Sequence, residues 1–357
     1  MARPGRFLYG DLGRMLAFAW GGLRGMSPSK MINAISGQIE KFRRVSCPTA
    51  APCVAVLDVT NVCNLKCPYC PTGSRRESGR QERFIKLSEV QRLVDEIGQY
   101  LISANLYNWG EPLLHPQIGE IIRTLRRRKI FTVLSTNLNI ADQKKLEEVS
   151  DAELDYMVVS ISGATQEVYE KYHAGGKLQL VMENIRHLTR YKRSRRVRRP
   201  LVEVKFLTFS HNIHQLDGAC RLARESGADV FRRVTGGGPE DAVIVDQHHS
   251  TDSGARFCHQ LWHSIVLTPD QRLAPCCFLF FREDDLGDCR GKSFLEVRRN
   301  SSFTLARKLF DVSQVSNLPS DLRHPCLKCD IVHRQPHLRE YLRSNPHAGR
   351  AYRTGGP

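Results

Sequence analysis

From about residue 53 the chain alternates short apolar runs, rich in β-branched residues, with longer stretches whose apolar positions recur at helical spacing. CVAVLDV (53–59), ISANLYNW (102–109), IFTVLST (130–136), DYMVVSIS (155–162), VEVKFLTF (202–209) and ADVFRRV (228–234) predict strands. Residues 87–100, 116–129, 141–150, 178–193 and 213–226 predict helices between them. Strict alternation of this kind predicts a parallel sheet with right-handed crossovers. Six strands are too few to close an eight-unit barrel. The expected fold class is therefore α/β, a partial (β/α)6 barrel over 51–240.

The pattern changes on both sides of this region. Gly236, Gly237, Gly238 and Pro239 open a polar stretch at 235–252 that reads as a linker. SIVLTPDQRLAPCC (264–277) predicts a β-hairpin turning at Pro269–Asp270, and 293–310 predict a helix with Ser293 as its cap. A small cysteine-bearing domain is expected over 253–335, followed by a polar, loose tail at 336–357. At the other end, 1–50 form a basic amphipathic extension. Leu8, Leu12, Met15, Leu16, Ala19, Leu23 and Met26 fall on one helical stripe. Asp11 and Arg14 interrupt that run and no small-residue cleavage site follows it, so neither a spanning helix nor a signal peptide is expected. Packing of this stripe on the protein's own surface is the expectation. An interfacial helix at a membrane, with peripheral contact at its inner face, is the alternative.

Charge and cysteine content sharpen the picture. The formal net charge is +16, and seven of the ten residues in RYKRSRRVRR (190–199) are Lys or Arg. Such surfaces attract acidic lipid headgroups, nucleic acid, or phosphorylated and nucleotide-linked small molecules. Only Tyr191 interleaves an aromatic ring with the basic run, which argues against stacking-type nucleic-acid recognition. Twelve cysteines in 357 residues are many, and tight clusters in a chain this long read as metal ligands rather than a disulfide scaffold. Thiolate ligands must stay reduced, which predicts a cytoplasmic protein.

CNLKCPYC places Cys63, Cys67 and Cys70 on one loop directly after the first strand. Three thiolates at this spacing suit three irons of a cubane. A zinc site closed for structure wants four ligands, so a three-cysteine zinc site would need a histidine. The spacing, with Tyr69 before the last cysteine, resembles the signature of the radical S-adenosylmethionine (SAM) superfamily. That resemblance implies a [4Fe–4S] cluster whose open iron chelates SAM and, on reduction, yields a 5′-deoxyadenosyl radical. Further segments match the same family. WGEP (109–112) stands where the family carries Gly-Gly-Glu-Pro, with Trp109 in place of the first glycine and Gly110, Glu111 and Pro112 retained. Ser135 and Asn137 lie in an STN turn, and Ser160 occupies a position implied to meet the SAM ribose or carboxylate. Ser162 stands where many relatives have Asp.

Cys258, Cys276, Cys326 and Cys329 form a second four-thiolate set. Spacing alone leaves a zinc ribbon or a closed cluster open. The segments CHQLWHSIVLTPDQRLAPCC, LGD, SFLEVRRN and PCLKC resemble the SPASM/twitch extension of radical SAM enzymes. In its shorter form this implies one auxiliary [4Fe–4S] cluster. Whether Cys276 or its neighbour Cys277 is the ligand stays open, and Cys277 is a candidate hydrogen-atom donor. The resemblance implies C–H abstraction, ending in oxidation or epimerisation of a sugar, aminocyclitol or other natural product. The expected partners are a small, anionic substrate and an electron donor such as flavodoxin or ferredoxin. Alternatives are a peptide-modifying maturase, an enzyme of lipids or lipid-linked glycans at the membrane surface, and a nucleic-acid modifier.

Overall fold

The computed structural model describes residues 7–236, 258–345 and 347–348. Most of the expected linker at 235–252 lies outside them. The core is an open barrel of parallel strands: β1 (Leu8–Tyr9), β2 (Val54–Leu57), β3 (Ser103–Asn105), β4 (Phe131–Thr136), β5 (Tyr156–Ile161), β6 (Leu201–Thr208) and β7 (Val230–Thr235). Three further strands, β8 (Ser264–Leu267), β9 (Arg272–Ala274) and β10 (Gly287–Asp288), complete the sheet order β1-β7-β6-β5-β4-β3-β2-β8-β9-β10. The six strands β2–β7 are those that the alternation predicts. β1 was not expected; it adds to the edge through Leu8↔Val230 and Tyr9↔Phe231.

Strand periodicity sorts the side chains. Along β4 and β5, Leu134, Met157, Val159 and Ile161 face the outer helices, whereas Phe131, Val133, Tyr156 and Val158 cluster in the interior with Tyr107 and Leu201. Both faces are thus buried, which is why these runs read as nearly continuous apolar sequence. The helices that cover the sheet are amphipathic: α3 (Leu87–Ile97), for example, buries Val90, Leu93, Val94 and Ile97. Before them in the chain come α1 (Asp11–Arg24) and α2 (Pro28–Phe42), and after them α4 (Ile118–Arg127), α5 (Lys144–Asp151), α6 (Gln166–Glu170), α7 (Leu178–Ser194) and α8 (Leu216–Ser226).

The C-terminal hairpin is not a separate sheet. β8 runs parallel to β2, from Val54↔Ser264 to Leu57↔Leu267, and so continues the barrel wall before β9 reverses direction. The short helix α9 (Gln260–His263) leads into β8. The helix expected at 293–310 is broken into α10 (Phe294–Arg298) and α11 (Ser301–Lys308), because the Asn300 side chain accepts from the Phe303 N–H at 2.9 Å and starts a new helix there. The loose tail expected from 336 is also corrected. After α12 (Asp330–His333), Pro336–Ser344 form α13, which buries Leu338, Tyr341 and Leu342. Three apolar residues at helical spacing outweigh a polar composition.

One ion triad fastens the two regions. The Arg80 guanidinium, 5 % exposed, bonds Asp270 and Asp285, each at 2.6 Å. Removing it leaves Asp285 with Arg272 and Asp270 with Arg282 as their remaining cations. Arg80→Ala should therefore cost roughly 1–3 kcal/mol of stability in urea unfolding followed by circular dichroism. An unchanged midpoint would show that the clasp holds nothing.

Candidate active site

All the motif residues converge at the carboxyl ends of the parallel strands, where α/β folds place their sites. Cys63, Cys67 and Cys70 lie half-buried on the loop after β2. Burial pushes the Cys63 thiol up to about 11 and the Cys67 thiol up to about 12, and the charge of Cys70 adds to both. Cys63 and Cys67 in such surroundings ionise only beside a strong cation, which is what cluster iron would supply. Gly73 closes the loop: a Cβ there would stand 2.5 Å from the Cys67 backbone nitrogen. Among the described residues, no three His, Cys, Asp or Glu side chains converge as ligands of a single ion.

The loop is tied to its neighbours through Glu111. This side chain is buried; one oxygen accepts from Thr136 Oγ1 at 2.7 Å and the other from the Asn137 N–H at 2.8 Å. Burial lifts its carboxyl to about 7 even so. Glu111 therefore joins the WGEP segment to the STN turn and does not point into the site. Asn137 in turn donates to Asn64 Oδ1 at 2.9 Å and approaches Cys63 Sγ at 3.8 Å, which brings it to the cluster loop. Gly110 packs so closely under Thr60 that an added Cβ would lie 2.0 Å from its carbonyl oxygen, so only glycine fits there. Pro112 is buried at the start of the next turn. Tyr69 is partly exposed and leans on Tyr172 and Phe209 at ring distances near 6 Å, 6.1 and 6.0 respectively.

Ser135 and Ser160 are half-exposed, and neither hydroxyl bonds another described residue. Ser162 is different. It is fully buried, 2.6 Å from His173 Nδ1, and donates to the Tyr169 carbonyl at 2.9 Å, so it packs behind the strand. Burial drives the His173 imidazole down to about 3.

Several residues escaped the sequence reading. Asp58 ends β2 fully inside the site, accepts from the Trp109 N–H at 3.1 Å, and is lifted to about 7 by burial. It lines a cavity of about 540 Å³ with Cys63, Trp109, Phe280, Arg75 and Arg76. Trp109 meets Phe280 edge-on at 5.3 Å, so the WGEP segment and the C-terminal region share this wall. Deeper in the barrel, Ser160, Lys205 and Arg232 stand in register across β5, β6 and β7. Burial and the Arg232 charge lower the Lys205 ammonium to about 8. Glu203 accepts from Tyr156 at 2.7 Å and from Arg232 at 2.9 Å. The signal for all four was weak, because one polar residue in a strand does not say which face it occupies.

The thiols of the second set lie near enough to act on one another's charge. Burial raises Cys326 well above an ordinary thiol, and Cys258, Cys276 and Cys329 each add to the effect. Cys276 is pushed up to about 12. Cys277 also lies near Cys258, but it packs against Val56, Val266 and Ala274 on the barrel wall. There its charge reinforces the effect of burial in raising Tyr107.

The radical SAM superfamily profile matches residues 57–202, from the end of β2 to the start of β6. The matched region is a radical SAM domain. Its cofactors are a [4Fe–4S] cluster and SAM, and the thiol chemistry above fits the cluster. A probable GTP 3′,8-cyclase of Methanococcus maripaludis (strain C5 / ATCC BAA-1333) is 27 % identical over 172 residues, 48 % of this chain and 55 % of that protein. The GTP 3′,8-cyclase of Vibrio cholerae serotype O1 (strain ATCC 39541 / Classical Ogawa 395 / O395) is 30 % identical over 131 residues, 36 % and 39 % of the two chains. The chain thus spans about half the length, or less, of these curated relatives. Among solved structures, Streptococcus suis SuiB bound to precursor peptide SuiA matches with a TM-score of 0.57 at 13 % identity, over 84 % of this chain and 74 % of that one. Native anSMEcpe with bound AdoMet matches at 0.54 and 14 % identity, over 73 % and 84 %. At such identity these two show a shared fold, which extends beyond the barrel.

Two outcomes test the site. After anaerobic reconstitution, replacing Cys63, Cys67 and Cys70 by Ala should halve the iron, from about eight to about four per chain, and abolish 5′-deoxyadenosine release with dithionite and SAM. Equal release by both proteins would remove the assignment. Gly110→Ala should keep its iron but weaken SAM binding roughly tenfold or more, since the segment cannot sit under Thr60 with a Cβ. Isothermal titration under anaerobic conditions reads this directly.

Proposed function

We propose that the protein abstracts hydrogen from a C–H bond of a small, anionic substrate of sugar or aminocyclitol type, with epimerisation as the outcome. When bound, the cluster and SAM supply a 5′-deoxyadenosyl radical. Cys63, Cys67 and Cys70 would hold that cluster, Gly110 and Pro112 would shape the segment against SAM, and Ser135, Asn137 and Ser160 would orient it. Tyr69 would shield the cluster loop from water. Cys258, Cys276, Cys326 and Cys329 would hold the auxiliary [4Fe–4S] cluster.

The observation that carries this reading is the barrel interior. Lys205 offers positive charge in register with Ser160, beside Arg232, which Glu203 already pairs, and a phosphate or carboxylate would be desolvated and held there. Cys277 packs on the part of the wall formed by β2, β8 and β9, against Val56, Val266 and Ala274. A substrate carbon radical would take the hydrogen atom of the Cys277 thiol on the face away from the first abstraction. The sulfur radical then needs one electron and one proton, the electron coming from a flavodoxin- or ferredoxin-type donor. The anionic nucleotide named in the GTP 3′,8-cyclase relatives is consistent with the cationic interior. A peptide substrate is the rival reading, favoured by the fold shared with peptide-bound SuiB.

The test uses a panel of nucleotide-linked sugars in deuterated buffer. The wild type should place one solvent deuterium in product per 5′-deoxyadenosine formed. Cys277→Ala should retain SAM cleavage and lose roughly a hundredfold or more of product, as removal of a positioned hydrogen donor predicts. Product formation by Cys277→Ala at the wild-type rate, without solvent deuterium, would favour net oxidation and overturn the epimerase reading. Turnover of a peptide but of no sugar would overturn the substrate class.

A further inference from the structure

The end of the barrel opposite the cluster loop carries two helices whose polarity is reversed. A helix on a globular protein normally turns its apolar stripe inward. α2 instead buries Lys30, Asn33, Gly37 and Lys41. Lys30 Nζ donates to the carbonyls of Arg128 and Lys129 at 3.2 and 3.0 Å, just before β4. Asn33 exchanges two bonds of 2.9 Å with the Ala51 backbone, just before β2. Lys41 Nζ lies 3.3 Å from His259 Nδ1, ahead of β8. The helix is thus fixed across the amino-terminal ends of the strands by specific polar bonds. α1 crosses the neighbouring ends: Phe18 packs on Phe131 and Tyr156, the first residues of β4 and β5. Its stripe does not fold onto the protein as the sequence suggests, since Leu16 and Leu23 face outward.

The outward faces are apolar. Leu16, Leu23, Ile32, Ile35, Ile39 and Phe42 are each between 46 % and 69 % exposed. On α2 the last four recur at helical spacing and form one ridge. So continuous an apolar surface marks an interaction site. Its surroundings are cationic. Arg43 follows α2, Lys129 borders its start, and both are exposed at the same end of the barrel as Arg195, Arg196 and Arg198. That last group is held there by its neighbour Arg199, which bonds Asp155 at 3.1 Å immediately before β5. The residues from 1 to 44 carry eight Lys or Arg against Asp11 and Glu40.

An apolar ridge with a basic rim is the pattern of a helix lying in an anionic lipid interface. We infer that α1 and α2 dock the protein on the surface of an anionic bilayer, with the apolar ridge entering the headgroup boundary. Charge complementarity selects this occupant over a second copy of the chain, whose like-charged rim would repel. In this orientation the cluster-bearing mouth faces the aqueous side, so the substrate is taken from water or from a headgroup reaching well above the bilayer.

Vesicle flotation tests the inference with the full-length protein. The probes are phosphatidylcholine vesicles with and without phosphatidylglycerol. The wild type should float with the anionic vesicles and much less with the neutral ones, and high salt should weaken this binding. The variant Ile32→Ser, Ile35→Ser, Ile39→Ser, Phe42→Ser should lose roughly tenfold or more of the bound fraction. Its circular dichroism and SAM cleavage should match the wild type, because these side chains touch solvent. Arg195→Gln, Arg196→Gln, Arg198→Gln keeps the ridge intact and should reduce only the preference for anionic lipid. Equal flotation of the ridge variant and the wild type would overturn the inference. So would a wild type that stays unbound to both vesicles, including one that sedimentation velocity shows to self-associate through this ridge.

Discussion

Three half-buried thiols on one loop cannot ionise together without a cation held among them. Burial and mutual repulsion push Cys63 and Cys67 far above an ordinary thiol, and iron would reverse that balance by accepting the thiolates as ligands. The rest of the site is arranged around this constraint. Glu111 fastens the WGEP segment to the turn that carries Asn137, and Asn137 reaches back to Cys63. Trp109 then connects the same segment to Phe280 in the C-terminal region. The cluster loop, the cofactor segment and the second thiol set are therefore one mechanical unit.

The second constraint is directional. A parallel sheet places all its carboxyl ends on one side, so chemistry gathers there and the opposite end is left for other work. Lys205 stands in the interior beside the Arg232–Glu203 pair, while Asp155 collects Arg126 and Arg199 at the amino-terminal end. Part of the basic run at 190–199 is thus structural: Lys192 is buried against the Pro200 carbonyl at 2.7 Å, and Arg199 is paired. The remaining arginines stand exposed beside the reversed helices.

Much of this was legible in the sequence because it is written as spacing. The six barrel strands, the hairpin turn and the three-cysteine loop are local patterns, and each needs only neighbours in the chain to be recognised. What was hidden depends on register. Asp58, Glu203, Lys205 and Arg232 are polar residues in or beside largely apolar strands, and only the sheet decides which face each occupies. Cys276 and Cys277 are adjacent in the chain, and spacing alone cannot choose between them. α2 shows the same limit at a larger scale. Its apolar stripe invites burial by periodicity alone, yet Lys30, Asn33 and Lys41 find backbone and imidazole partners that anchor the other face. In α13, conversely, Leu338, Tyr341 and Leu342 find a place to bury that a polar tail does not advertise.

The central claim is that Cys63, Cys67 and Cys70 hold a cluster with one iron open to SAM. Electron paramagnetic resonance of the reduced protein tests it most directly, with Cys258, Cys276, Cys326 and Cys329 replaced so that only one cluster can contribute. The account predicts a reduced four-iron signal that changes shape when SAM is added, because the amino and carboxylate groups of SAM become ligands of the open iron. A signal indifferent to SAM, or a protein that holds zinc and gives no signal, would contradict it.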